Sequence, residues 1–154
     1  MPRPRCYVAS PLGFSETTRP WYNDVLLPAL AELVEPVDPW SLTTEDEVAE
    51  AHAAGRDREI ALEIGRRNIE AIRSSSLLIA QLDGQEADSG TVAELGYAAG
   101  LGLRCFGIRS DFREAGEAGV PLNLQVVSFV EASGGVIAPS LDALLVHLRA
   151  ELAD

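Results

Sequence analysis

The sequence predicts an α/β fold, a five-stranded parallel sheet with helices on both faces, and three observations carry that expectation. Short apolar, β-prone runs alternate with stretches of helical periodicity along the chain. The clearest run, SLLIAQLDG (76–84), is an apolar stretch closed by Asp83-Gly84, the pattern of a strand buried on both faces. Polar residues gather in SPLGFS, DGQEADSG and SDFREAG, the loops that follow strands, where ligands bind in such sheets. A chain of 154 residues suits one compact domain spanning 1–154.

Each element follows from its residues. CYVAS (6–10) is apolar and β-prone, and PLGFS (11–15) is a loop of turn residues. Residues 17–34 place Trp21, Val25, Leu26, Leu30 and Leu33 at helical spacing; Pro20 suits a first turn, whereas Pro28 should kink the helix. EPVDPW (35–40) reads as a short second strand. Residues 44–54 and 56–74 read as two helices meeting near Gly55. After the third strand, 90–101 is a helix and LRCFGIRS (103–110) a fourth strand. Residues 111–124 form a loop with room for a helical turn, and LQVVSFVEAS (124–133) supplies a fifth strand. The amphipathic segment 140–154 closes the chain as a helix capped by Ser140.

Composition excludes several classes. Apolar residues make up 47%, too many for a disordered chain, and no apolar run is long enough for a membrane span. A net charge of −12 argues against binding nucleic acid polymers or anionic membranes, both of which need a basic face. The N-terminus has no signal-peptide pattern, so the expected location is the cytoplasm. Cys6 and Cys105 lie in strand-like segments and read as buried free thiols rather than a disulfide. His52 and His147 lack metal-ligand spacing; no metal and no cofactor are expected.

The chemistry concentrates in DSGTVAELGYAAG (88–100), a glycine-and-hydroxyl turn entering a small-residue helix. Glu94 there has two readings. Thr91-Val-Ala-Glu94 fits a capping box, in which the glutamate only closes the helix start. Alternatively Asp88 or Ser89 caps the helix, and Glu94 then faces the ligand crevice as a reactive carboxylate. Gly90 allows a ligand close to the backbone at the helix N-terminus, where Ser89 and nearby N–H groups can cradle an anion. Gly96, Ala98, Ala99 and Gly100 keep the helix slim for packing on the sheet.

YVASPLGFS near the N-terminus, LDG (82–84) followed by DSGT-x2-ELGYA, and SDFR followed later by PLNLQ resemble the nucleoside 2-deoxyribosyltransferase family, in the family's order, from about Tyr7 to Ser133. The turn shares only GT-x2-E with the cytokinin-activating phosphoribohydrolases and lacks their preceding PGG. The resemblance implies a flavodoxin-like (Rossmann-like) fold and a glycosyltransferase (pentosyltransferase) that exchanges the base of 2′-deoxynucleosides. Glu94 maps to the nucleophile, which forms a covalent deoxyribosyl-enzyme as a retaining glycosidase does. Tyr7 maps to the tyrosine that orients it, against the plain reading of a core tyrosine. Asp88 maps to the aspartate that binds sugar hydroxyls, a role compatible with capping. Asn123 maps to an asparagine that reaches a neighbouring subunit's site, with Gln125 in place of the family's methionine. The partners so implied are nucleosides and free nucleobases, and further copies of the chain in a homo-oligomer, dimer or higher, with shared sites. Asp111 and Arg113 match the family's DFR and are expected to form an ion pair or loop clamp. Phe14 and Trp40, with Pro11 and Leu12, can wall a base pocket or pack in the core.

One position departs from the pattern. Where family members carry an aspartate that handles the base and its proton, this chain has Asn68, which can hydrogen-bond a base but cannot act as a general acid. Either water or Asp83 then supplies the proton or the reaction is slower, although Asp83 also reads as a turn residue with Gly84. Three functions compete: a deoxyribosyltransferase, an N-glycohydrolase of (deoxy)nucleosides or their 5′-monophosphates, and a nucleotide-binding module without turnover.

Overall fold

A computed structural model describes residues 2–153, so Asp154, the last residue of the expected closing helix, lies outside the description. Five strands, β1 (Arg5–Ala9), β2 (Glu35–Val37), β3 (Leu77–Gln81), β4 (Arg104–Ile108) and β5 (Ile137–Ala138), form one parallel sheet in the order β2-β1-β3-β4-β5. This is the flavodoxin-like order. The chain leaves β1 toward one edge and then returns to place β3 on β1's other side. The loops after β1 and β3 therefore diverge, and a crevice opens at their carboxyl ends.

Period-2 alternation sends each strand's residues to two cores. Cys6, Val8, Leu77, Ile79, Phe106 and Ile108 pack with Leu26 and Leu30 on one face, joined by Leu144 and Leu148 of the closing helix, which spans Leu141–Glu151. Tyr7, Ala9, Leu78, Ala80 and Cys105 face the other way, against Ile72, Leu95, Ala98 and Val130. Both cysteines are buried free thiols. Among the described residues, no helix is long and apolar enough to cross a membrane.

The first helical region is continuous but changes pitch. α1 (Arg19–Trp21) runs into a π-helical turn, Tyr22–Leu26, and then into α2 (Leu27–Ala31). Pro28 is the expected cause: it has no N–H to give to the preceding turn, and the wider turn just before it absorbs the ring without ending the helix. α3 (Glu45–Ala53) and α4 (Asp57–Arg73) form a hairpin around Gly55, whose φ of +67° suits glycine. α3 starts in a full capping box of Thr44 and Glu47. α5 covers Ser89–Gly100, and α7 is the closing helix, capped by Ser140 as expected.

Two expectations need correction. Residues 124–133 do not supply the fifth strand: Leu124–Ala132 is a helix, α6, and β5 follows at Ile137–Ala138. The β-branched run Val126-Val127 suggested a strand. Asn123 nevertheless caps a helix by accepting from the Gln125 N–H, and Val126, Val127 and Val130 then share the face packed on the sheet. The second strand is also shorter than 35–40. It ends at Val37, and Pro39–Ser41 forms a 3-10 turn with Asp38 as its cap.

Candidate active site

The crevice between the β1 and β3 loops is a cleft of about 950 Å³. Asp88, at the cap of α5, and Gly90, Thr91 and Glu94 of α5 line it, and β1 stands behind Glu94. Tyr7 is fully buried in β1, and its hydroxyl donates to Glu94 Oε1 at 2.7 Å. Asn68, on α4, donates from Nδ2 to the same oxygen at 3.3 Å. Oε2 of Glu94 has no hydrogen-bond partner among the described residues, and Glu94 lines the cleft.

The helix start resolves the two readings of this glutamate in geometric terms. Asp88 caps α5: its Oδ2 accepts from the Thr91 N–H at 2.8 Å and the Thr91 hydroxyl at 3.0 Å. Glu94 is therefore a turn and a half into the helix, and the capping box suggested by Thr91-x-x-Glu94 does not form. Only one oxygen of Asp88 serves the cap, and Asp88 lines the cleft beside Gly90 and Thr91. Capping and ligand contact are thus compatible at this residue.

Electrostatics separate the two members of the central pair. Burial pushes the Glu94 carboxyl above the ordinary carboxylate range; the bonds from Tyr7 and Asn68 pull it back, and the Asp88 charge adds to the rise. Burial first, and the Glu94 charge second, push the Tyr7 phenol far above its ordinary value. Tyr7 therefore stays protonated and acts only as a donor.

The upper walls come from two further elements. The Phe14 and Trp40 rings meet edge-to-face with centroids 4.4 Å apart, and both line the cleft. Asp38 fixes this wall: its Oδ1 accepts from the Tyr22 hydroxyl at 2.7 Å and from the Trp40 N–H at 3.0 Å. Gly13 lies under the indole, where a Cβ would come within 2.4 Å of the ring. The opposite wall is the α3–α4 hairpin, which presents Val48, Ala49, Ala61 and Ile64. Arg67 sets its register by bonding Glu47, Glu63, the Leu42 carbonyl and the Thr43 hydroxyl, and so aims the next residue, Asn68, at Glu94.

The sequence-predicted residues thus divide. Tyr7, Glu94, Asn68, Asp88, Gly90 and Phe14 come together, although Ser89 is exposed and is not among the lining residues. Asp83 is placed elsewhere: its carboxylate accepts from the Ser110 N–H and hydroxyl and from the Asp111 N–H, at 2.5–2.8 Å. It joins the loop after β3 to the loop after β4 and does not line the cleft, so a role as proton source for a leaving base has no geometric support. Asp111 and Arg113 form the expected ion pair, which holds the Asp111 carboxyl well below its usual range. Asn123 and Gln125 are exposed at the start of α6, away from the cleft of their own chain. Sequence reasoning missed the hairpin wall and Arg19. The wall was detectable in principle, since 48, 49 and 52, and 61, 64 and 68, each fall on one helical face.

A family model described as nucleoside 2-deoxyribosyltransferase matches residues 6–128. No curated protein matches the chain. Among solved structures, a conserved protein from Enterococcus faecalis V583 superposes with a TM-score of 0.67 at 22% identity, covering 97% of this chain and 99% of that one. A CMP N-glycosidase from Clostridium botulinum has a TM-score of 0.56 at 15% identity, over 94% and 98% of the two chains. A 2-deoxyribosyltransferase from Bacillus psychrosaccharolyticus has a TM-score of 0.55 at 19% identity, over 82% of each. At these identities the three likenesses speak to the fold.

Proposed function

The chain belongs to the nucleoside 2-deoxyribosyltransferase family, and from that membership we propose that it exchanges the base of 2′-deoxynucleosides through a covalent deoxyribosyl intermediate on Glu94. The observation that carries the reading is the asymmetry of Glu94. Tyr7 and Asn68 both bond Oε1, which leaves Oε2 without a partner in a residue that lines the cleft. A carboxylate held by one oxygen is oriented and yet retains a lone pair for C1′. In the proposed sequence, Oε2 bonds to C1′ as the C1′–N bond breaks, and the electron pair leaves with the base. A second base then attacks C1′ from the vacated face and releases the carboxylate, so that configuration is retained. Asp88 binds the sugar through the oxygen its cap leaves free, and the Phe14–Trp40 wall takes the base. No cofactor takes part.

Incubation with a 2′-deoxynucleoside and a different free base tests the reading. A new nucleoside is the expected product; free deoxyribose alone would instead indicate a glycohydrolase that uses water as acceptor. A 2′-fluoro-2′-deoxynucleoside should leave one sugar on the wild-type chain, visible by intact mass, and none on Glu94→Gln.

We propose further that the enzyme acts in the cytoplasm as one domain per chain in a homo-oligomer, with Asn123 and Gln125 completing a neighbour's site. The side chain between them, Leu124, is apolar and 49% exposed, which supports a contact there. Mixing inactive Glu94→Ala subunits with inactive Asn123→Ala subunits should restore activity. A fully active monomer by light scattering would remove the shared-site proposal.

A further inference from the structure

Two carboxyls line the cleft besides Glu94: Asp88 caps α5, and Glu45 is exposed at the start of α3; neither bonds Glu94. Asn68 cannot supply a proton, and Asp83 is held in another loop. The hydroxyl protons of Tyr7 and Tyr22 are given to Glu94 and Asp38. His52 lines the cleft, but it sits on the last turn of α3 and pairs with Asp57 at 2.7 Å. Asp57 opens α4, and Asn68 lies eleven residues further along it (68 − 57), about 16 Å at 1.5 Å per residue. His52 therefore stands at the mouth, beyond a base whose sugar carbon is at Glu94.

Arg19 is placed differently. It is the one arginine lining the cleft among the described residues. Its Nε donates to the Gly13 carbonyl at 3.0 Å, and Gly13 also carries the Trp40 ring. The guanidinium and the aromatic wall thus share an anchor in the loop that follows Tyr7. Its two terminal nitrogens have no hydrogen-bond partner, and no carboxylate is within ion-pairing distance, among the described residues. In a chain with 24 acidic side chains and 12 arginines, most guanidiniums find a carboxylate. This one is exposed, held at its neck, lines the cleft and leaves two donors unengaged.

We propose that Arg19 does the work of a leaving-group acid by binding the departing base at an oxo group or ring nitrogen. The inference rests on the glycosyl-transfer reading above. As the C1′–N bond breaks, its electron pair passes into the base, which leaves as an anion delocalised onto that acceptor atom. The guanidinium stabilises this charge through donors already in place, transfers no proton, and lets water protonate the base after departure.

The test compares leaving groups. Wild type, Arg19→Gln and Arg19→Lys are assayed for kcat/KM on 2′-deoxynucleosides and on 4-nitrophenyl 2-deoxy-β-D-ribofuranoside, whose nitrophenolate leaves without help. Arg19→Gln should lose about 10²–10³-fold on the nucleosides, the usual cost of removing one charge-stabilising donor. Its loss on the nitrophenyl substrate should stay within about 5-fold, which also shows that the variant is folded. Arg19→Lys, with the charge but not the fork, should fall between. Equal losses on both substrates in Arg19→Gln and Arg19→Lys, or no loss on either, would overturn the assignment. If wild type cleaves neither substrate, the glycosyl-transfer reading itself fails; if it cleaves both and the variants match it, only the role of Arg19 fails.

Discussion

Two carboxylates that follow β3 in the chain, Asp83 and Glu94, are treated in opposite ways. Asp83 is saturated: Oδ1 accepts from two backbone N–H groups, Oδ2 from a hydroxyl, and the result is a clasp between two loops. Glu94 is held by two donors on one oxygen only, in surroundings that raise its proton affinity. The structural carboxylate here has both oxygens engaged, and the candidate nucleophile has one oxygen left over. Sequence separates the pair poorly, since each is an acidic residue near a glycine in the segment after the third strand.

The largest expected effect breaks the comparison at Glu94. Glu94→Gln keeps the shape and the bonds from Tyr7 and Asn68 but removes the nucleophile, so turnover should fall by at least ~10³-fold. The same change should stabilise the fold at neutral pH. A carboxyl whose folded-state affinity for protons is raised contributes most below its unfolded value, and that contribution is lost as pH rises through the folded one. Thermal melts should therefore show Glu94→Gln above wild type at pH 7, with the gap closing toward pH 4. Near-normal turnover in Glu94→Gln would reduce Glu94 to a packing residue.

Asp88 sets the next effect. Its free oxygen accepts well from a neutral 5′-hydroxyl but repels a phosphate. Preference for 2′-deoxynucleosides over their 5′-monophosphates should reach at least ~10²-fold in kcat/KM, and Asp88→Ser should narrow it. Equal rates on the two substrates would point to a nucleotide glycohydrolase.

Tyr7→Phe tests orientation. It removes one bond to a charged acceptor, so a loss of about 10–100-fold in kcat/KM is expected. That bond also lowers the proton affinity of Glu94, so its removal should move the acid limb of the pH profile upward. A purely structural tyrosine would leave the limb in place.

Much of this was readable from the chain, and the failures have physical causes. Alternation of apolar runs located the first four strands, because parallel strands buried on both faces leave a continuous signal. The fifth did not stand out: Ile137–Ala138 is two residues long, and the apolar run before it satisfies a strand or a helix until Asn123 is recognised as a cap. Glu94 stood out because a glycine-and-hydroxyl turn precedes it, and Tyr7 and Asp88 because their motifs resemble the family's. Arg19 was not, since its position depends on a bond to the Gly13 carbonyl and on a helix that bends at a π turn. Asp83 was overvalued because sequence shows a carboxylate and not the Ser110 and Asp111 donors that occupy it.

The smallest effect on activity sharpens the comparison by making the same acid-to-amide change at Asp83. In Asp83→Asn, Oδ1 still accepts from the Ser110 and Asp111 N–H groups, and the new Nδ2 can donate to the Ser110 hydroxyl, which turns to accept. No step of the proposed reaction uses the lost charge, so kcat/KM should stay within about 3-fold of wild type. Asp83→Ala leaves those donors without a partner and lets the two loops part, so it should lower Tm by a few degrees while Asp83→Asn changes it little. The amide is therefore expected to be nearly silent at Asp83 and close to lethal for turnover at Glu94. If Asp83→Asn instead abolished nucleoside cleavage while Tm held, the proton for the leaving base would come from Asp83 after all, through a movement of its loop toward the cleft.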